Sequence, residues 1–270
     1  MKIFLCLLFF VAISISACTK KVDGCMHPRA VNFNPEADED KNDACQYYQL
    51  ILQMQHFASS LPNDTLKFGN WLYDANNEPF YLSTMNLLAG EVHLVKSGTN
   101  EEIKSPETAP FFNANSTPIY VEDNFFISTL EEYAYNIAGW TELGDFDRIR
   151  FKLGIPDAIR ATNPSLVSEA NHPLSTTAIR YMYDSTSMNY LTAKIVVEQP
   201  NTNTKLSFDF FDYIPIELPY AVTAQDGANI PIRLRLDYLA LFNGISFSND
   251  SPTIIKDKIS QNFTTAFSTY

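Results

Sequence analysis

Apolar and polar side chains alternate strictly in two stretches of the chain. In "DRIRFKLGI", Ile149, Phe151 and Leu153 alternate with Arg148, Arg150 and Lys152. In "NIPIRLRLD", Ile230, Ile232, Leu234 and Leu236 alternate with Pro231, Arg233, Arg235 and Asp237. Period two is the signature of a strand with one buried face. "KLSFDFFDY" repeats it with Leu206, Phe208 and Phe210, and "LILQMQHF", "TLKFGNWLYD", "EVHLVKSG" and "LTAKIVVEQ" read as further strands. "DANNEP", "KSGTNEE" and "QPNTNT" supply turn chemistry between them. One segment has another period. In "SPTIIKDKISQNFTTAF", Ile255, Ile259, Phe263 and Phe267 recur every four residues, which predicts a helix with Ser251 as N-cap and Pro252 in its first turn. "LDYLALFNG" before it also reads as helical. Residues 98–118 and 156–178 are rich in Asn, Thr, Ser and Pro and read as long irregular loops, the usual place for binding on a rigid β scaffold.

The first residues follow neither pattern. Lys2 precedes an apolar run from Ile3 to Ile13, and Ser16-Ala17 leads into Cys18. A charged start, a short apolar core and a small-residue exit make a secretory signal, too short to span a membrane convincingly. Small residues directly before a cysteine also resemble a bacterial lipobox, which would make residues 1–17 a lipoprotein signal peptide and Cys18 the lipidated first residue of the mature chain. The alternative is ordinary cleavage near Ala17. Of the four cysteines, Cys6 leaves with the leader and Cys18 carries lipid, so Cys25 and Cys45 remain for a disulfide in an oxidising compartment. The net charge of −12 disfavours nucleic-acid binding and leaves acyl chains, not a basic patch, to hold the protein to a membrane. The expected location is the cell envelope, at the outer membrane, on either its periplasmic or its outer face. The expected organisation is a signal peptide (1–17), a lipidated tether (18–24), a disulfide-closed acidic module (25–47) and a β domain (48–270).

Catalytic signatures are missing from the sequence. There is no G-x-S-x-G, H-E-x-x-H, phosphate-cradling glycine loop or C-x-x-C, and the expectation is a protein that is not an enzyme. Four histidines are present, and no two are spaced as a local metal pair. His56, His93 and His172 are the metal-ligand candidates and would have to be brought together from distant strands. In the acidic module, Asp38, Asp40 and Asp43 are the candidate ligands for calcium, a hard cation that takes carboxylates, though the turn glycine of a calcium loop is absent. A solvated acidic loop is the other reading. Thr65 in "DTL" and Ser185 in "DST" fit the short Asp-Ser/Thr pattern of O-glycosylation on exported proteins of Bacteroidota.

"GCMHPRAVNFNPEADEDKNDACQY" resembles a short module of such proteins, with the pattern G-C-T-D-P-x-A-x-N-Y-N-P-x-A-x-x-D-D-G-S-C-x-Y. It departs at Met26-His27 and at residues 42–44. Beyond it, "LQMQHFASSLPNDTLKFGNWLYDANNEPFYLSTMNLLAGEVHL", "FDRIRFKLGIPDA", "NHPLSTTAIRYMYDSTSMNYLTAKIVVE", "RLRLDYLALFNG" and "KISQNFTTAF" follow one another in an order that resembles the MbnP-like family of exported copper-binding proteins. The strand pattern and this resemblance together give the expected fold: all-β, an antiparallel β-sandwich of immunoglobulin or jelly-roll type with a C-terminal helix. The resemblance implies copper as a cofactor, a di-haem peroxidase-like partner in the envelope, and a histidine on the first strand, where His56 stands. It also implies a W-x-W pair whose positions are taken here by Asp184 and Thr186, and a later histidine near "FDFFDYIPIEL" that has no counterpart. The expected function is therefore a lipid-anchored envelope binding protein with an altered or lost copper site. The alternative is a surface module that binds glycan or protein through loops 98–118 and 156–178.

Overall fold

The computed structural model describes residues 21–40, 45–112, 117–179 and 181–270. The signal peptide, Cys18 and the calcium candidate Asp43 lie outside them. The chain divides between Tyr48 and Gln49 into two compact units.

In the first unit, Cys25 and Cys45 form the expected disulfide. The segment between them is pinned by side chains as much as by backbone. Asn34 Oδ1 accepts from the Glu36 amide and Asn32 Oδ1 from the Gln46 amide. The Asp38 carboxylate accepts from the Val22 amide. Short Asn and Asp side chains do this readily, which is why such a segment needs little apolar core.

The second unit is the sandwich. Its strands are β1 Tyr48–Phe57, β2 Leu72–Tyr73, β3 Pro79–Lys96, β4 Glu102–Ile103, β5 Thr108–Phe112, β6 Pro118–Glu122, β7 Phe126–Thr129, β8 Ala134–Trp140, β9 Gly144–Leu153, β10 Tyr183–Asp184, β11 Asn189–Tyr190, β12 Ala193–Gln199, β13 Thr204–Phe210, β14 Ile214–Ala224, β15 Ile230–Asp237 and β16 Phe267–Thr269. One sheet has the order β16-β15-β1-β8. The other is built on β3 and runs β13-β12-β3-β9-β14, with β2, β4 and β7 also paired to β3. The alternating residues of β9 and β15 face inward as the sequence predicts, those of β1 do the same, and both sheets contribute to one buried core. The pairing of β1 with β15 is parallel, the exception to an otherwise antiparallel set of described ladders. Parallel neighbours need a long connection, and almost the whole domain lies between these two strands.

β3 carries the larger sheet. Its first half pairs with β12 and its second half with β9, on the edge opposite β7. The register shifts between Gly90 and His93, and Glu91 adopts φ 49° there. A Cβ on Gly90 would lie 2.5 Å from the Phe125 ring, so the bulge requires glycine. The C-terminal helix is Pro252–Ala266. Ser251 caps it through the Ile254 amide, and Ile255, Ile259 and Phe263 are buried. Phe267, the last residue of the predicted stripe, instead opens β16 opposite Leu236. A short helix, Tyr238–Leu241, follows β15 directly, capped by Asp237.

The two stretches expected to be long loops are built into the fold instead. Residues 98–118 contain β4 and β5, and β5 and β6 form a hairpin. Residues 156–178 contain a helical turn, Asp157–Arg160, and a 3₁₀ turn, Pro164–Leu166. Phe111, Ile159 and Leu174 from these stretches close a second core with Leu88 of β3, Phe125 and Met182. Their apolar residues are spaced without period because they cover a sheet from above and do not lie within it.

Candidate functional site

The inward row of β1 reads Leu50, Leu52, Met54, His56. Its last member is a polar side chain placed where the alternation puts core residues, and His56 is only 5% exposed. Two elements distant in sequence satisfy it. The Tyr238 hydroxyl, from the helix after β15, lies 2.7 Å from Nδ1, and Ser128 Oγ of β7 lies 3.3 Å from Nε2. Burial pushes the His56 pKa down to about 4, opposed in part by a hydrogen bond to the Thr129 backbone. Burial likewise pushes the phenol of Tyr238 well above its ordinary value. A neutral imidazole and a protonated phenol therefore share one hydrogen bond, with Tyr238 able to donate to Nδ1 while Nε2–H faces Ser128.

His56 lines a pocket of ≈ 440 Å³. Buried Met54 and Leu66 share its floor, and Lys67, Glu131, Glu132, Tyr133, Arg235 and Tyr270 surround them. Tyr133 and Tyr270 join hydroxyls at 2.7 Å. The guanidinium of Arg235 lies over the Phe57 ring at 4.3 Å and the Tyr270 ring at 5.3 Å, and its Nε donates to Gln55 Oε1 at 3.0 Å. None of Tyr238, Ser128, Arg235, Tyr133 or Tyr270 stands out in the sequence as a site residue. The legible signal was the phase of β1, which places His56 inward.

The other two candidate histidines sit elsewhere. His93 follows the bulge of β3 and lies between two carboxylates, Glu102 Oε2 at 3.1 Å from Nδ1 and Glu122 Oε2 at 2.6 Å from Nε2. Arg150 bridges Glu102 and Glu217. The Arg150 hydrogen bond holds the Glu102 carboxyl below the usual carboxylate range against partial burial, with His93 contributing. His172 Nε2 meets Asp123 Oδ1 at 2.8 Å, and its Nδ1 accepts from the Leu174 amide at 3.0 Å. Phe111 and Phe125 pack edge-on against it. The structure thus brings none of the three histidines together, and among the described residues no three His, Cys, Asp or Glu side chains converge to hold a metal. In the acidic module, Asp38 is committed to a backbone amide and Asp40 is exposed.

Ser185 is exposed in the turn between β10 and β11, where Asp184 accepts from the Thr186 and Ser187 amides. Of the positions where the resemblance implies tryptophans, Asp184 thus ends β10 and Thr186 lies in the turn. Thr65 is half-buried, and its hydroxyl donates to the Asn63 carbonyl at 3.1 Å.

No family model matches the chain, and no curated protein matches it. Among solved structures, MbnP from Methylosinus trichosporium aligns with 75% of this chain and 80% of that chain, at 12% identity and a TM-score of 0.44.

Proposed function

We propose that this chain is a non-enzymatic binding protein of the cell envelope, held to a membrane by lipid on Cys18, with the copper site of the MbnP-like class altered. The observation that carries this reading is the setting of His56. A neutral imidazole in a pocket that Met54 also lines combines residue types that suit copper(I). Yet both ring nitrogens already have hydrogen-bond partners, and no second histidine accompanies them. Coordination at either nitrogen would displace one of these partners, so copper held here is held weakly.

Copper(I) titration of the mature chain against a competing chelator tests this. The expected result is no tight one-to-one site, with any weak binding abolished by His56→Ala. A tight site that survives His56→Ala contradicts it. Metabolic labelling with a fatty acid tests the anchor: label should enter the chain and disappear in Cys18→Ser, and label retained in that variant would overturn lipidation at Cys18.

A further inference from the structure

The rim of the His56 pocket carries a charge arrangement that the copper question does not use. The chain has a net charge of −12, and most cations among its described residues are matched. Lys96, Arg148, Arg150, Lys152, Lys194, Lys205 and Lys258 each contact a carboxylate. Lys67 and Arg235 have no carboxylate partner among the described residues, and both line this pocket. Arg235 is also oriented. Two aromatic rings hold its guanidinium flat and Gln55 fixes its Nε, so the group is positioned without being neutralised. Arg233 sits close enough for its charge to act on Tyr270.

We propose that this pocket binds a small organic monoanion, a carboxylate carried on an apolar or aromatic body. The carboxylate meets Arg235 and Lys67, and the bonded hydroxyls of Tyr133 and Tyr270 offer a further donor. Met54, Leu66 and Leu130 receive the apolar body. A volume of ≈ 440 Å³ lies within the range of small-molecule sites. Glu131 lines the same pocket and narrows the class, because it repels a polyanion while tolerating a single charge placed on the arginine side. This binding is independent of copper, so a chain that takes up no metal still shows it.

The test is calorimetric titration of the mature chain with 3-phenylpropionate, beside two controls: phenethylamine, which has the same body and opposite charge, and inorganic phosphate, which has charge and no body. The expected result is saturable one-to-one binding of 3-phenylpropionate alone. Arg235→Gln should weaken it at least about tenfold, as loss of a charge-assisted contact does, and Arg235→Lys less, because charge remains while the planar fork is lost. Lys67→Gln, a change at an exposed side chain, should weaken it about threefold by removing a rim charge. Three results would overturn the proposal: no saturation up to about 10 mM, tenfold weaker than a millimolar site; unchanged affinity in both Arg235→Gln and Lys67→Gln; or tighter binding of phenethylamine, which would make Glu131 the recognition group.

Discussion

His56 and His93 are both buried on the sandwich, at 5% and 6% exposure, and their surroundings are opposite. His56 meets only hydroxyls and backbone, and burial keeps its ring neutral. His93 meets a carboxylate on each ring nitrogen, with Arg150 tying one of them into a wider ion network. His93 is thus bound into a network of carboxyl groups, whereas His56 is a hydrogen-bonded core ring beside a pocket. Residue type made both of them candidates for a metal, with His56 put first by the family resemblance. The partners, which come from distant parts of the chain, separate them.

The largest expected effect breaks the His93 side. His93→Ala leaves Glu102 and Glu122 without the ring between them, and Glu122 Oε1 already lacks a hydrogen-bond partner among the described residues. Two carboxylates that lose their ring partner and its packing should cost about 3 kcal/mol or more, read as a drop in denaturant midpoint with the slope unchanged. If His93→Ala unfolds with wild-type stability, the carboxylates are not held by that ring.

The next sharpens the His56 side through pH. Burial lowers the folded ring from its ordinary 6.5 to about 4. As pH falls below about 6.5, the unfolded chain takes up a proton that the folded chain refuses. Stability should therefore decline between about pH 6.5 and pH 4 and receive no further loss from this ring below that. The contribution is about 3 kcal/mol across the window. His56→Gln should remove this part of the pH slope, and an identical slope in that variant would assign it to other groups.

The smallest effect separates the hydroxyl from the ring. Tyr238→Phe keeps the packing and removes the 2.7 Å partner of Nδ1. Leaving one buried acceptor unpaired should cost about 1–2 kcal/mol by thermal or chemical unfolding. It should also free Nδ1, so copper(I) binding, if any, strengthens in this variant. Weaker copper binding would show that the phenol is itself part of a metal site.

What the sequence revealed follows the same division between local and distant. β1, β9, β15 and the C-terminal helix were legible because each buries one face, and a single buried face imposes its period on the residues. β3 was legible only in part. Its burial is nearly continuous from Met85 to Val95, since both faces are covered, and a strand buried on both faces loses alternation. β14 was hidden by Pro215 and Pro219, which are tolerated because it ends its sheet. The covering role of residues 98–118 and 156–178 had no periodic signal at all. At the site, the phase of β1 placed His56 inward, but Ser128 and Tyr238 lie 72 and 182 residues away, and nothing local marks them as its partners.

The most direct measurement is the pH dependence of the histidine ring ¹⁵N shifts in the intact mature chain, assigned with His56→Gln. The His56 ring should remain neutral through pH 5, protonate with a midpoint of about 4, and change tautomer balance in Tyr238→Phe. A His56 ring that titrates at its ordinary 6.5 and ignores the loss of Tyr238 would contradict the buried, hydroxyl-held imidazole on which the reading of this pocket rests.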